Sequence, residues 1–304
     1  MMRKLFLAFI LALAFLPAGA QEKITVEFAH RDTCTLSMDI YKAEAALESA
    51  PTVLYVFGGG FKEGDRVRGT GKWFSTLNGY GFNVVSIDYR LGLKGARMGG
   101  LSFVGQLENA INIAVEDLFS ATEFLIENGA RYGIDSSNIV LAGSSAGAIT
   151  VLQAEYEICN GGKLAAVLPD DFNYTGVMSF SGAILDRENW GLKFSKKPCP
   201  ILLLHGTDDK LVPYKRISAF KSTFNGTDAI AKVLKQSAFP FTVLRYAGRG
   251  HEVSTYGAYC ISEELAFIEK YVIGSSETIT DSMVTDPDAP SSAWGRVKPG
   301  ALYK

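Results

Sequence analysis

The segment Ile139-Val140-Leu141-Ala142-Gly143-Ser144-Ser145-Ala146-Gly147 is an apolar run that passes without a spacer into the pattern Gly-x-Ser-x-Gly. A run hydrophobic on both faces suits a strand in a parallel sheet covered by helices. Residues Ala146–Glu157, which follow, read as a helix. A serine on a tight strand-to-helix turn stands proud of the sheet. That turn is so cramped that small residues are needed two positions to either side, here Gly143 and Gly147. Ser145 is therefore the candidate nucleophile, and Ser144 is a filler. At the start of a helix, Ser145 also lies near backbone donors and the positive end of the helix dipole.

Outward from this segment the buried-strand pattern returns at Thr52–Phe57, Phe82–Asp88, Gly176–Ser181, Ile201–His205 and Phe241–Tyr246. Helical spacing fills the intervals. Leu107–Asn128 carries Ile111, Ala114, Leu118, Ala121 and Leu125 at three- and four-residue steps. Ala146–Glu157, Ile217–Lys235 and Ser262–Val272 are shorter helical candidates. Residues 24–29 and 34–41 alternate apolar and polar around Arg31-Asp32, which predicts a hairpin at a sheet edge. Strands alternating with helices place the chain in the α/β class, with a doubly wound, mostly parallel sheet flanked by helices. No repeat of 20–50 residues is present, so solenoids and propellers are excluded.

The run Val56-Phe57-Gly58-Gly59-Gly60-Phe61 ends the first of these strands. Three glycines there let the backbone approach a ligand with its N–H groups exposed. Gly59 and Gly60, together with the N–H of Ala146 after the candidate nucleophile, are the expected oxyanion hole.

With these two elements in place, the chain resembles the α/β-hydrolase superfamily, in its carboxylesterase branch with an H-G-G-G-type oxyanion motif. The resemblance covers residues 25–273. It extends to Asp88-Tyr89-Arg90-Leu91, similar to the D-Y-R-L turn of those esterases, and to Ile134-Asp135-Ser136-Ser137-Asn138-Ile139, similar to their lead-in to the nucleophile. The chain departs from the family at Phe57, where relatives carry the His that helps fix the oxyanion loop. The backbone donors of Gly59 and Gly60 do not depend on that side chain.

In such a fold the acid and base follow the nucleophile in the order Ser, Asp or Glu, His. The chain has three histidines. His30 sits in the edge hairpin, ahead of Ser145, and reads as a surface residue. His205 closes a strand and opens His205-Gly206-Thr207-Asp208-Asp209, which matches the superfamily's H-G-x-x-D loop and implies that Asp209 is the acid. His251, in Gly248-Arg249-Gly250-His251-Glu252 beyond the last strand, is then the base, and His205 is structural. Each of the three triad candidates follows a strand, so all are expected at the carboxyl end of the sheet, where open α/β sheets bind ligands.

Composition limits the alternatives. A net charge of −2 offers no field for a phosphate backbone, so nucleic acid is not an expected partner. No phosphate-binding Gly-x-x-x-x-Gly-Lys motif and no paired-histidine metal pattern occurs, and the expected chemistry uses no cofactor and no metal. Residues 1–20 have a basic start at Arg3 and Lys4, an apolar run Leu5–Leu16 and the ending Pro17-Ala18-Gly19-Ala20. That is the layout of a cleaved secretory signal, too short in its apolar part to span a bilayer. Its removal leaves 28 basic and 32 acidic residues in a secreted or periplasmic protein with no membrane attachment. All four cysteines (Cys34, Cys159, Cys199, Cys260) then lie in an oxidising compartment. A Cys159–Cys199 bridge is the preferred pairing, against the alternative of buried thiols.

The expected division is a signal peptide at 1–20, a hydrolase domain at 21–273 and a tail at 274–304, either flexible or draped over the domain with Trp294 as anchor. Loops Leu91–Phe103 and Asp186–Lys197 are the expected pocket walls, with Phe61, Trp73, Tyr89 and Trp190 as aromatic candidates for stacking or core. The resulting expectation is a serine esterase acting on small or medium acyl esters of a small molecule or carbohydrate, such as acetyl or feruloyl esters. Two rivals remain: a peptidase of the prolyl oligopeptidase kind, and a non-catalytic binding protein on the same fold.

Overall fold

The computed structural model describes residues 23–43, 50–67, 70–96, 100–187, 191–219 and 222–303. The leader at 1–20 and Trp190 lie outside the described residues. Among the described residues, nine strands form the main sheet. An antiparallel hairpin, β1 (Lys23–Arg31) and β2 (Cys34–Tyr41), makes one edge. It is followed by β4 (Val84–Ile87), β3 (Thr52–Val56), β5 (Ile139–Ser144), β6 (Gly176–Phe180), β8 (Ile201–Gly206), β11 (Phe241–Tyr246) and β12 (Ile279–Val284). From β4 onward every neighbour pair is parallel. Strands β3, β4, β6 and β8 are buried along their whole length, as the two-sided apolar runs require.

The order of strands explains where a site must lie. The chain runs from β3 outward to β4, then crosses back to lay β5 against the other side of β3. Connections reverse at the β3–β5 seam, and a crevice opens there beyond the strand carboxyl ends. The Gly58–Gly60 turn leaves β3 at that seam and Ser145 leaves β5, with Val56 paired to Gly143.

Helices cover the sheet: α1 (Gly71–Gly79), α2 (Gly100–Asn128), α3 (Ala146–Asn160), α4 (Thr227–Gln236) and α5 (Ile261–Phe267), which continues as a wider helical turn to Ile273. Helix α2 starts earlier than the apolar spacing from Leu107 predicts. Helix α1 was not among the sequence expectations, although Trp73, Phe74 and Leu77 are its buried positions at helical spacing.

Residues 217–235 are only partly helical. Strand β10 (Ser222–Gly226) pairs on one side with β9 (Arg216–Ala219) and on the other with β7 (Ala183–Arg187) in a separate three-stranded antiparallel sheet. Ile217 pairs with Phe224 across that sheet. Gly226 closes β10 at a point where a Cβ would strike the Pro213 carbonyl, and α4 beyond it keeps a helical stripe through Ile230, Ala231 and Leu234.

The tail is ordered against the domain. Strand β12 adds the ninth strand in parallel register, Phe241 against Ile279 through Tyr246 against Val284. It is held by Arg245, whose Nε donates to Asp281 at 2.7 Å. The preferred Cys159–Cys199 bridge is absent, and all four thiols are free. Both residues converge instead on the buried Glu155 carboxylate, which accepts from Cys159 Sγ at 3.3 Å and from the Cys199 N–H at 2.8 Å.

Candidate active site

Ser145 joins β5 to α3 with φ 53° and ψ −115°, a conformation that costs a residue with a Cβ roughly 1–3 kcal/mol. Neighbouring backbone enforces it. A Cβ on Gly143 would strike the Gly147 carbonyl, and one on Gly147 would strike that of Val56. The Ser145 N–H donates to the Phe180 carbonyl at 2.9 Å. Ser144 turns the other way, and its hydroxyl donates to the Ser254 carbonyl at 2.7 Å.

His251 opens a short 3₁₀ turn, residues 251–255, beyond β11. Its Nε2 lies 2.8 Å from Ser145 Oγ and its Nδ1 lies 2.8 Å from Asp209 Oδ2. The loops carrying acid and base are packed on one another, since a Cβ on Gly206 would strike the carbonyls of Arg249 and Gly250. Close behind, Glu252 accepts the Gly250 N–H at 2.8 Å, and Gly295 of the tail presses on that same carboxylate.

Asp209 Oδ1 accepts the N–H groups of Leu211 and Val212 at 2.9 and 3.0 Å. Its Oδ2 receives two imidazoles, His251 at 2.8 Å and His205 Nε2 at 3.2 Å. Burial alone would raise the carboxyl, but the hydrogen bonds from His205 and His251 outweigh it and hold the group well below the usual carboxylate range. The neighbouring Asp208 is exposed. His205 is fully buried, and its Nδ1 faces Thr227 Oγ1 at 2.8 Å. A donor is needed at Asp209, so His205 carries its proton on Nε2 and the Thr227 hydroxyl donates to Nδ1. His30 lies on the exposed hairpin edge beside Thr35.

The glycine turn completes the arrangement. Gly59 and Gly60 have φ of 120° and 62°, which favour glycine. The Gly59 carbonyl accepts from the N–H groups of Lys62 and Glu63, both at 3.1 Å. Among the described residues, neither the Gly59 N–H nor the Gly60 N–H meets an acceptor. Ala146 is the first residue of α3, where helix geometry leaves the N–H without an intrahelical partner. Gly58, Gly59, Gly60, Ser145 and His251 share the lining of one cleft of about 390 Å³. A serine, an imidazole and a carboxylate in one hydrogen-bonded line, beside unpartnered backbone donors, form an apparatus suited to acyl transfer.

Two family models match the chain: BD-FAE over residues 38–157 and Phospholipase/Carboxylesterase over residues 102–238. Together with the fold, these matches make the chain similar to the carboxylesterase branch of the α/β-hydrolase superfamily.

Its relatives include the esterase LipI of Mycobacterium tuberculosis, 37% identical over 98 residues that make up 32% of this chain and 26% of that one. A probable isoprenylcysteine alpha-carbonyl methylesterase of Oryza sativa subsp. japonica is 27% identical over 251 residues, 70% of this chain and 54% of the relative. The chain thus spans about a quarter and about half of the length of these two relatives. Thermogutta terrifontis esterase 2 phosphoramylated by tabun superposes with a TM-score of 0.59 at 19% identity, covering 83% of this chain and 95% of that one. Its paraoxon-phosphorylated form gives 0.58 at 20%, covering 83% and 94%. At these identities the structural likeness is one of fold.

The cleft walls differ from the sequence expectation. The described residues of loops 91–103 and 186–197 do not line the cleft. Its walls are Trp73 of α1, Phe180 at the end of β6, Leu211, and Trp294 and Leu302 of the tail. Phe61 and Tyr89 are core, packed edge to face on one another, and Phe57 stacks on Tyr89 at 4.4 Å. Sequence reasoning missed Trp294 and Leu302 as wall residues because nothing in their local pattern points to a site 150 residues away.

Trp73 is held by its Nε1, which donates to Glu264 Oε2 at 2.8 Å. Burial pushes the Glu264 carboxyl well above the usual range, and the Trp73 hydrogen bond only partly offsets this. The folded protein therefore keeps a proton that the unfolded chain releases, and stability falls as pH rises through and above the ordinary glutamate range. Glu264→Gln keeps the acceptor for Trp73 without the ionisation. Its Tm is expected to exceed that of the parent by a few °C at pH 8 and to converge with it at pH 4, as followed by circular dichroism. A variant less stable at both pH values would show that Glu264 is held ionised.

Proposed function

We propose that this protein is an exported serine esterase, secreted or periplasmic, that hydrolyses carboxylic esters of small or medium acyl groups, including acetyl or feruloyl esters on carbohydrate. The line from Ser145 Oγ through His251 to Asp209, open to a cleft beside Gly59 and Gly60, is the observation that carries this reading. Ser145 Oγ attacks the acyl carbonyl as His251 Nε2 takes its proton. Asp209 holds the Nδ1–H tautomer and stabilises the imidazolium. The N–H groups of Gly59, Gly60 and Ala146 receive the developing oxyanion. His251 returns its proton to the leaving alcohol, and then activates the water that releases the acyl group.

Relatives named as esterases support ester rather than amide chemistry. The apolar leader at 1–20 supports export. Among the described residues, no helix is long and apolar enough to cross a membrane. The short-acyl preference is supported by a cleft of about 390 Å³, at the lower end of ligand-site volumes. The aromatic rings of Trp73 and Trp294 in its walls suit a sugar or phenolic ring. A p-nitrophenyl series from acetate to palmitate, run beside acetylated and feruloylated sugars, tests this. kcat/KM is expected to peak at short or aromatic acyl groups. A steady climb to palmitate would reject the acyl-size reading, and inertness toward every ester would reject the function.

A further inference from the structure

The oxyanion turn poses a question of rigidity. Three consecutive glycines have the widest backbone freedom of any tripeptide, yet an oxyanion hole works only if its donors are held in place beforehand. Phe57 has no polar group with which to tie the turn. Its ring is turned away, stacked on Tyr89, and its own carbonyl accepts the Tyr89 hydroxyl at 3.1 Å. The Gly59 carbonyl is tied by Lys62 and Glu63. That leaves the Gly60 carbonyl, and it accepts the hydroxyl of Tyr303 at 2.9 Å.

Tyr303 stands 243 residues further along the chain and is buried there. Its ring packs edge to face on Phe103 of α2 at 4.9 Å between centroids. A second tie runs the other way, from Lys62 Nζ to the Leu302 carbonyl at 2.9 Å. The fit leaves no room for a side chain on the turn: a Cβ on Gly60 would lie 2.6 Å from Leu302 Cδ2 and 2.9 Å from Tyr303 Oη. Burial pushes the Tyr303 phenol up to about 12, so it stays a donor at all working pH values. The segment that delivers it is anchored twice on the way, by β12 in the sheet and by Gly295 against Glu252 behind His251.

We propose that Tyr303 is a positioning residue for the oxyanion hole. Its hydroxyl pins the Gly60 carbonyl and so aims the Gly59 and Gly60 N–H groups into the cleft, which makes the C-terminal segment a working part of the active site. The inference rests on the esterase reading above and extends it to a residue that touches neither substrate nor nucleophile.

Tyr303→Phe keeps the ring on Phe103 and removes only the donor. Because deleting an oxyanion donor outright costs about 10²–10³, loosening two of them is expected to lower kcat/KM on p-nitrophenyl acetate roughly tenfold. Binding of a short alkyl boronic acid, whose tetrahedral adduct places an oxygen in the hole, should weaken by the same factor. Tm and the rate at which the isolated protein is digested by trypsin should match the parent. Lys62→Met, which cuts the second tie, is expected to fall between parent and Tyr303→Phe. A Tyr303→Phe variant with parental kcat/KM and parental boronate affinity overturns the inference while leaving the esterase reading intact. A fall in kcat/KM matched by a fall in Tm, with boronate affinity unchanged, also overturns it, since that is the mark of a merely structural role. A parent protein that hydrolyses no ester and binds no boronate overturns both.

Discussion

Ser145→Ala is expected to lower kcat by roughly 10⁴ to 10⁶, because nucleophile, base and oxyanion donors act as one unit and losing the nucleophile removes most of it. The structure adds a sharper control than the loss of rate. Ser144 and Ser145 are adjacent, but only Ser145 Oγ meets His251, while the Ser144 hydroxyl is turned to the Ser254 carbonyl. A fluorophosphonate probe should therefore label the parent and Ser144→Ala and leave Ser145→Ala unlabelled. The substitution removes one oxygen from a side chain already committed to its backbone conformation, so Tm should change little. Labelling that persists in Ser145→Ala would place the nucleophile elsewhere and end the assignment.

Asp209→Asn is expected to cost about 10³ to 10⁴ in kcat, against less than about twofold for Asp208→Asn. In Asp209 one carboxylate oxygen is occupied by the N–H groups of Leu211 and Val212, which fixes the orientation of the other toward His251 and His205. An amide held the same way puts its NH₂ where the carboxylate received two imidazole protons. His251 must then carry its proton on Nε2, and in that tautomer it cannot accept one from Ser145. Asp208 points to solvent, and replacing it alters none of these bonds. Measurement of kcat for both variants on one ester decides the register: equal losses, or the reverse order, would mean that Asp208 is the acid.

The features legible in the sequence share a physical origin. A strand buried on both faces has to be apolar at nearly every position, so β3, β5, β6, β8 and β11 are visible as runs. Gly143 and Gly147 are visible because the elbow leaves no volume for a Cβ, which is a constraint within five residues. Asp209 and His251 could be nominated because each follows such a strand, and only three histidines had to be sorted.

Where local pattern and packing part company, the sequence misled or was silent. Residues 217–235 have apolar spacing that fits a helix, but β9 pairs with β10, and β10 pairs with β7. Ile217 remains 56% exposed, so its hydrophobicity reported no burial at all. Strand β12 could not be read because an edge strand half in solvent, with Asp281 and Ser282 at its centre, satisfies its backbone through β11 without an apolar signature.

By itself, the order of residues determined the class of sheet, the elbow at Ser145 and the candidates for acid and base, since each depends on contacts along the chain or on how a strand is covered. Tertiary structure alone decided that His205 shares Asp209 with His251, that Trp294 and Leu302 wall the cleft, and that Tyr303 closes on Gly60. These contacts join segments with no common periodicity, and a single hydroxyl meeting a carbonyl leaves no mark on the residues around either partner. Only the folded chain brings them to hydrogen-bonding distance.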